Sequence, residues 1–160
     1  ELLCETASRD RFQTHPRAYY ERLLDARSGD FCNELITAAY AGIITAAAIV
    51  NFYAPSRTAV YLHGGSSRVH REVMAPHMLH WRIIQEAKAR GYAAYDLWGI
   101  DEARWPGVTR FKRGFGGRVI EYPETIDVVL RPYAYAMYRI VKQLRGSRML
   151  GLKNHMSGID

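Results

Sequence analysis

Ile43-Ile-Thr-Ala-Ala-Ala-Ile-Val-Asn-Phe-Tyr53 is the segment on which the fold turns. By its alanines it is a helix, because alanine is the best helix former. By its β-branched residues and its flanks it is a strand. Ala41-Gly42 ahead of it is a turn, and Pro55-Ser56 behind it is a second break. The strand reading pairs it with Leu35-Ile-Thr-Ala-Ala-Tyr40 across the glycine turn, as an antiparallel hairpin. Thr58-Ala-Val-Tyr-Leu-His63 adds a third strand, expected to end at a loop, Gly64-Gly65-Ser66-Ser67.

Moving outward, apolar spacing predicts a helix over Thr6 to Ala26, with Pro16 in a first turn and Tyr19, Tyr20, Leu23 and Leu24 on one face. A longer helix is predicted over Val69 to Arg90, stopped by Gly91, with Met74, Met78, Trp81, Ile84, Ala87 and Ala89 as its apolar stripe and Leu79 and Ile83 beside it. That stripe leaves His77 and His80 on the solvent side. Tyr92 to Ile100, Val119 to Tyr122 and Ile126 to Leu130 read as strands, and Tyr133 to Leu144 as a closing helix. The expected class is α/β, with a mixed and mostly antiparallel sheet flanked by helices. Residues 1–145 are expected to form one domain and 146–160 a basic, polar tail.

The totals agree with one globular domain. The chain has 160 residues, 48% of them hydrophobic, and a net charge of +6, which favours a polyanionic partner. Cys4 and Cys32 lie far apart and match no disulfide or zinc pattern. The six histidines include no HExxH pair, so no metal site is expected. The apolar stretch Ile36 to Phe52 is interrupted by Thr37, Tyr40, Gly42, Thr45 and Asn51, too often for a bilayer span. The opening, Glu1-Leu-Leu-Cys, lacks the charged start of a signal peptide and lacks methionine; a piece of a longer, cytoplasmic protein is expected.

Chemistry concentrates in Thr109-Arg-Phe-Lys-Arg-Gly-Phe-Gly-Gly-Arg-Val119. A lysine between two aromatics, followed by glycines that let a ligand reach the backbone, suits an oxyanion or a polyanion. Gly64-Gly65-Ser66-Ser67, with Arg68, His70 and Arg71 beside it, is a candidate phosphate loop ahead of a helix. Asp96, at the end of a strand, is the one obvious carboxylate, read as bonding to backbone donors. Trp98 and Trp105 read as packing residues.

Four pieces occur in the order of a known family: Tyr61-Leu-His-Gly-Gly-Ser-Ser67, the helix carrying Ala75-Pro-His-Met-Leu-His-Trp81, Tyr95-Asp-Leu-Trp-Gly-Ile100, and Phe111-Lys-Arg-Gly-Phe-Gly-Gly117. With Thr6-Ala-Ser-Arg-Asp-Arg-Phe12 upstream, the chain resembles the Fem family of peptidoglycan bridge aminoacyltransferases (the FemA, FemB and FemX type). The resemblance implies two acetyltransferase-like (GNAT) domains, of which this chain would be the second, with an N-terminal one preceding it. It implies transfer of an aminoacyl group from aminoacyl-tRNA to an amine of a UDP-linked or lipid-linked muropeptide. No cofactor is implied besides the tRNA donor, and the lipid-linked acceptor would bring the protein to the inner membrane face.

Phe111 and Lys112 match the pair implicated at the reaction centre and tRNA end, where Lys112 would stabilise the oxyanion and Phe111 and Phe115 could stack on the terminal adenine, at least one of them packing in the core instead. His63 stands where the family often has a tyrosine on the muropeptide, and Arg9 (Arg11 as second choice) matches the arginine on the UDP phosphates. Tyr61, Gly64, Gly65, Ser66 and Arg68 complete the expected substrate-binding set. Two other readings stand beside this one. The first is an acyl-CoA-dependent N-acyltransferase holding pyrophosphate on Gly64-Gly65-Ser66-Ser67-Arg68. The second is a non-catalytic half that binds nucleic acid or a partner domain.

Overall fold

The computed structural model describes residues 1–10, 12–123 and 126–154, with side chains as far as Gln143. The chain clusters into two units, Glu1–Gly117 and Arg118–Asp160. In the first, Ile43–Tyr53 is a strand. The elements run α1 (Leu2–Asp10), α2 (Arg17–Asp25), β1 (Phe31–Tyr40), β2 (Ile43–Tyr53), β3 (Thr58–Ser66), α3 (Ala75–Ala89), β4 (Ala94–Asp96) and α4 (Pro106–Arg113). The sheet order is β1-β2-β3-β4; the first three strands are antiparallel and β4 lies parallel to β3. A parallel pair needs a crossover, and α3 provides it.

Alternation along β2 explains why an alanine-rich run can be a strand. Ala46, Ala48, Val50 and Phe52 point to one face, where they meet Ala59 of β3 and Ala75, Leu79, Ile83 and Ala87 of α3. The small methyls let α3 sit close to the sheet. Phe52, Ile83 and Val50 are fully buried there, each stabilising the fold by about 1.5–3 kcal/mol relative to exposure. Arg90 pins the end of α3 to β1 through Glu34 at 2.6 Å, with Glu86 at 2.8 Å.

α1 packs on the other face. A Cβ at Gly65 would lie 2.6 Å from the Leu2 backbone, so a side chain there would push α1 away.

Several expectations change. The helix predicted over Thr6 to Ala26 is two helices, because Pro16 disfavours helix in the residue before it and becomes the N-cap of α2. α3 starts at Ala75 rather than Val69: Pro76, lacking an N–H, fits only a first turn, and Arg71–Val73 is a separate 3-10 turn. Met74, Met78 and Trp81 are each more than half exposed. The sheet offers a surface of alanines, and the neighbouring stripe of small and branched residues fits it. Trp98, expected to pack, is 62% exposed.

β4 is a three-residue strand where Tyr92 to Ile100 was expected. In the second unit neither Val119–Tyr122 nor Ile126–Leu130 forms a strand: an extended segment needs a partner ladder, and none is present among the described residues. A helix there, α5 (Pro132–Asn154), continues past Leu144 into the segment expected to be a tail. No described helix is long and apolar enough to cross a membrane.

Candidate active-site cavity

Lys112 comes to the site on α4, a short helix opened by Pro106 and anchored by two local bonds. The Asp101 carboxylate accepts the Arg104 amide at 2.8 Å, and the buried Thr109 hydroxyl accepts the Asp101 amide at 3.2 Å. The ammonium of Lys112 donates to the Gly99 carbonyl at 2.6 Å and lies 5.8 Å from the centre of the Tyr61 ring. Burial lowers its pKa, and the negative charge of Asp96 works in the opposite direction.

The ammonium borders a cavity of about 850 Å³ enclosed by α1, the end of β3, the following loop, the start of α3, and α4. Arg9, Arg68, Arg71, His70, His77 and Lys112 line it, and Asp10 is the sole acidic residue in the lining. Such a wall attracts anions, more strongly because the space is partly shielded from water.

Phe111 also lines the cavity. Its ring packs against His77 at 4.8 Å and Phe115 at 5.4 Å. Phe115 is outside the lining and backs Phe111 and His80 instead.

The glycine–serine segment is not a free loop. Gly64, Gly65 and Ser66 are the last residues of β3, paired with Ala48, Ala47 and Ala46. The Ser66 amide donates to the Thr6 hydroxyl at 2.9 Å, the Ser67 amide to the Thr45 carbonyl at 2.9 Å and the Arg68 amide to the Glu5 carboxylate at 2.7 Å. The amides of Ser66, Ser67 and Arg68 are therefore engaged within the chain, and the segment is a strand end rather than the expected phosphate loop. Gly64 is required by packing: a Cβ there would collide with the Tyr61 hydroxyl and sit 2.9 Å from the Ala47 carbonyl. The phenol of Tyr61 fills the space the glycine leaves, and burial raises its pKa to about 12, so it is protonated. Arg9 lines the cavity, paired with Asp10 at 3.0 Å and reaching the Ser66 carbonyl at 3.5 Å. Arg11 lies outside the described residues.

His80, expected on the solvent side, is 3% exposed and lines the cavity. Its Nδ1 hydrogen-bonds the Tyr95 hydroxyl at 2.8 Å, and its ring stands perpendicular to Tyr61 at 4.6 Å. Burial first, then the charges of Lys112 and His77, push its pKa down to about 4. A neutral imidazole beside Lys112 adds no competing charge. His77 and His80, three residues apart on α3, thus belong to the site. Sequence reasoning missed this because it chose the neighbouring apolar stripe.

His63 goes elsewhere. β3 pairs Tyr61 with Val50 and His63 with Ile49, so Leu62 is an extra residue in the strand. Partners across a ladder share a face, and adjacent residues of β2 do not; the bulge therefore turns His63 to the face opposite Tyr61. There it meets His15, Tyr19 and Tyr20, with Nε2 3.5 Å from the Tyr19 hydroxyl. Burial and the nearby His15 lower its pKa. The expected residues thus divide. Lys112, Phe111, Tyr61, Gly64, Gly65, Ser66, Arg68 and Arg9 share the cavity, while His63 stands behind the sheet. Among the described residues no three His, Cys, Asp or Glu side chains come together as metal ligands.

The architecture is that of acetyltransferases. An aminoglycoside acetyltransferase from an uncultured soil metagenomic sample superposes with a TM-score of 0.54 at 12% identity, covering 81% of this chain and 86% of that one. A ribosomal-protein-alanine N-acetyltransferase from Brucella melitensis gives 0.51 at 19%, covering 79% and 88%. In sequence, the aminoacyltransferase FemA of Staphylococcus epidermidis is 31% identical over 91 residues, 54% of this chain and 22% of FemA. FemB of the same organism is 27% identical over 99 residues, 59% of this chain and 24% of FemB. The matched stretch is less than a quarter of either relative's length. Residues 26–143 match the FemAB family, from just before β1 through β4 and the Lys112 motif into α5, and the chain belongs to that family.

Proposed function

We propose that this chain carries the donor side of a tRNA-dependent aminoacyl transfer to an amine on the stem peptide of a peptidoglycan precursor. The observation that carries the reading is a partly desolvated ammonium, Lys112, held at the wall of an electropositive cavity large enough for the end of an aminoacyl-tRNA. Membership in the FemAB family supports it.

Aminoacyl-tRNA is an activated ester, so the protein has to hold two reactants together and stabilise the tetrahedral oxyanion. The neutral acceptor amine attacks the ester carbonyl; an N–C bond forms, the ester C–O bond breaks, and the amine proton passes to the departing ribose hydroxyl. Lys112 faces the developing negative charge. Phe111 offers a surface for the terminal adenine, a contact worth about 1–3 kcal/mol per base. Arg9, Arg68 and Arg71 face the terminal phosphates, and Tyr61 donates its buried hydroxyl toward the reacting groups.

His63, with His15 and Tyr19, belongs to the acceptor side. In the proposed enzyme a second acetyltransferase-like domain completes the muropeptide site. Use of acyl-CoA is disfavoured, because the amides at the end of β3 are already bonded to Thr6, Thr45 and Glu5.

The test follows label from a charged tRNA mixture to UDP-muramyl-pentapeptide, with labelled acetyl-CoA as the parallel donor. Lys112-dependent transfer from tRNA is expected and identifies the amino acid. Label moving from acetyl-CoA alone overturns the reading.

A further inference from the structure

Between β4 and α4 the chain makes a turn that nothing in the core explains. Trp98 has φ +65°, a left-handed conformation that bulky residues avoid, yet its side chain is 62% exposed and anchors nothing. What holds the backbone is a carboxylate: Asp96 Oδ1 accepts the Trp98 amide at 2.7 Å. This is a local Asx turn, the type of bond that lets a short acidic side chain dictate backbone shape. The next residue, Gly99, presents the carbonyl that receives Lys112 at 2.6 Å. One carboxylate thus fixes the acceptor on which the lysine rests.

We propose that Asp96 is the positioning residue of Lys112: by holding the Trp98 amide it shapes the Leu97–Gly99 turn whose carbonyl seats the ammonium. The proposal rests on the donor-side reading for its consequence in transfer, and on the two hydrogen bonds for its seating of the lysine.

Around Lys112, β3 contributes Tyr61, α3 contributes His77 and His80, and β4 contributes Asp96. Tyr61 and His80 are both neutral near pH 7, so neither offsets the burial of the ammonium. Asp96 is the acidic group whose charge counters that burial. Remove the charge and the ammonium loses its proton at lower pH.

Two substitutions separate shape from charge. Asp96→Asn keeps an oxygen for the Trp98 amide and removes the charge; Asp96→Ala removes both. The direct readout is an NMR titration of the chain labelled at lysine Cε, with the Lys112 signal assigned by its loss in Lys112→Arg. In Asp96→Asn the midpoint is expected to fall, with the other lysines unmoved. The alkaline limb of transfer against pH should move down by the same amount. Asp96→Ala is expected to shift likewise and to lose about a further tenfold in transfer at the plateau. An unchanged Lys112 midpoint in Asp96→Asn overturns the charge role, and equal plateau rates in the two variants overturn the seating role. A shifted midpoint in a protein that moves no label from tRNA even with the second acetyltransferase-like domain supplied leaves Asp96 in place and rejects the donor reading instead.

Discussion

Two glycine-bearing segments serve the same cavity, one in its wall and one behind Lys112, and differ in what their backbones are free to do. Gly64-Gly65-Ser66 is the end of a strand: the Ser66 amide is capped by Thr6, one glycine makes room for Tyr61 and the other for α1. Leu97-Trp98-Gly99 is a turn held by one carboxylate, and its carbonyl at Gly99 carries Lys112. In sequence the first looks like the anion cradle and the second like the end of a strand. Hydrogen-bond accounting reverses them, since a glycine-rich run binds an anion only where its N–H groups lack other partners. The cavity's positive character consequently comes from side chains, Lys112 foremost.

Breaking the comparison at its functional end should have the largest effect. Lys112→Met removes the cation while preserving length and packing, and transfer from tRNA is expected to fall by about 10²–10³-fold, as for loss of one oxyanion donor. Denaturant midpoints should stay close to wild type, since the group removed is a single partly solvated ammonium. A rate within twofold of wild type would show that the cavity's chemistry lies elsewhere.

The next effect is on stability and pH. His80 titrates near 4 in the fold against 6.5 unfolded, a depressed value, so its contribution is complete above pH 6.5 and is lost as pH falls through that range toward 4. The full difference amounts to about 3 kcal/mol. Urea midpoints at pH 7.5 and 4.5 should differ accordingly, and His80→Gln should flatten that difference. An equal slope in wild type and variant would mean that the imidazole is not held neutral by its burial between Tyr61, Tyr95 and Phe111.

Much of this was legible in the sequence, for identifiable reasons. Strands β1 to β3 follow from Gly42 and Pro55 bracketing a β-branched run, and Lys112 stands out because aromatics and glycines surround it. What was hidden depends on contacts distant in the chain. Met74-Met78-Trp81 and Ala75-Leu79-Ile83 are equally periodic stripes on one helix, and only the alanine surface of β2 selects the second. That selection also buries His80. The bulge at Leu62 carries no proline or glycine signal; it appears only in the pairing of Tyr61 with Val50 and His63 with Ile49. A strict two-residue alternation would have put Tyr61 and His63 side by side.

Gly64 sharpens the structural end of the comparison. Gly64→Ala puts a methyl into the Tyr61 hydroxyl and close to the Ala47 carbonyl, and overpacking of this kind costs about 1–3 kcal/mol. The expected signature is a lower urea midpoint together with weakened transfer, because Tyr61 must leave its seat. Gly64→Ala at full stability would return the segment to the role of a loose loop.

The smallest effect should come from His63, and its smallness is informative. Because Leu62 turns His63 away from the cavity, His63→Ala should leave binding of an aminoacyl-adenosine fragment within twofold of wild type. Its neighbours are His15 at 6.1 Å and Tyr19 and Tyr20, on the opposite face of β3. Loss should appear instead in the apparent affinity for the muropeptide acceptor, measured as KM in the transfer assay at saturating tRNA. If fragment binding falls as steeply in His63→Ala as in Phe111→Ala, then one site spans both faces of the strand, and the division made by a single inserted residue has no functional meaning. If the two variants separate, donor on one face and acceptor on the other, the bulge is what lets one strand serve two substrates.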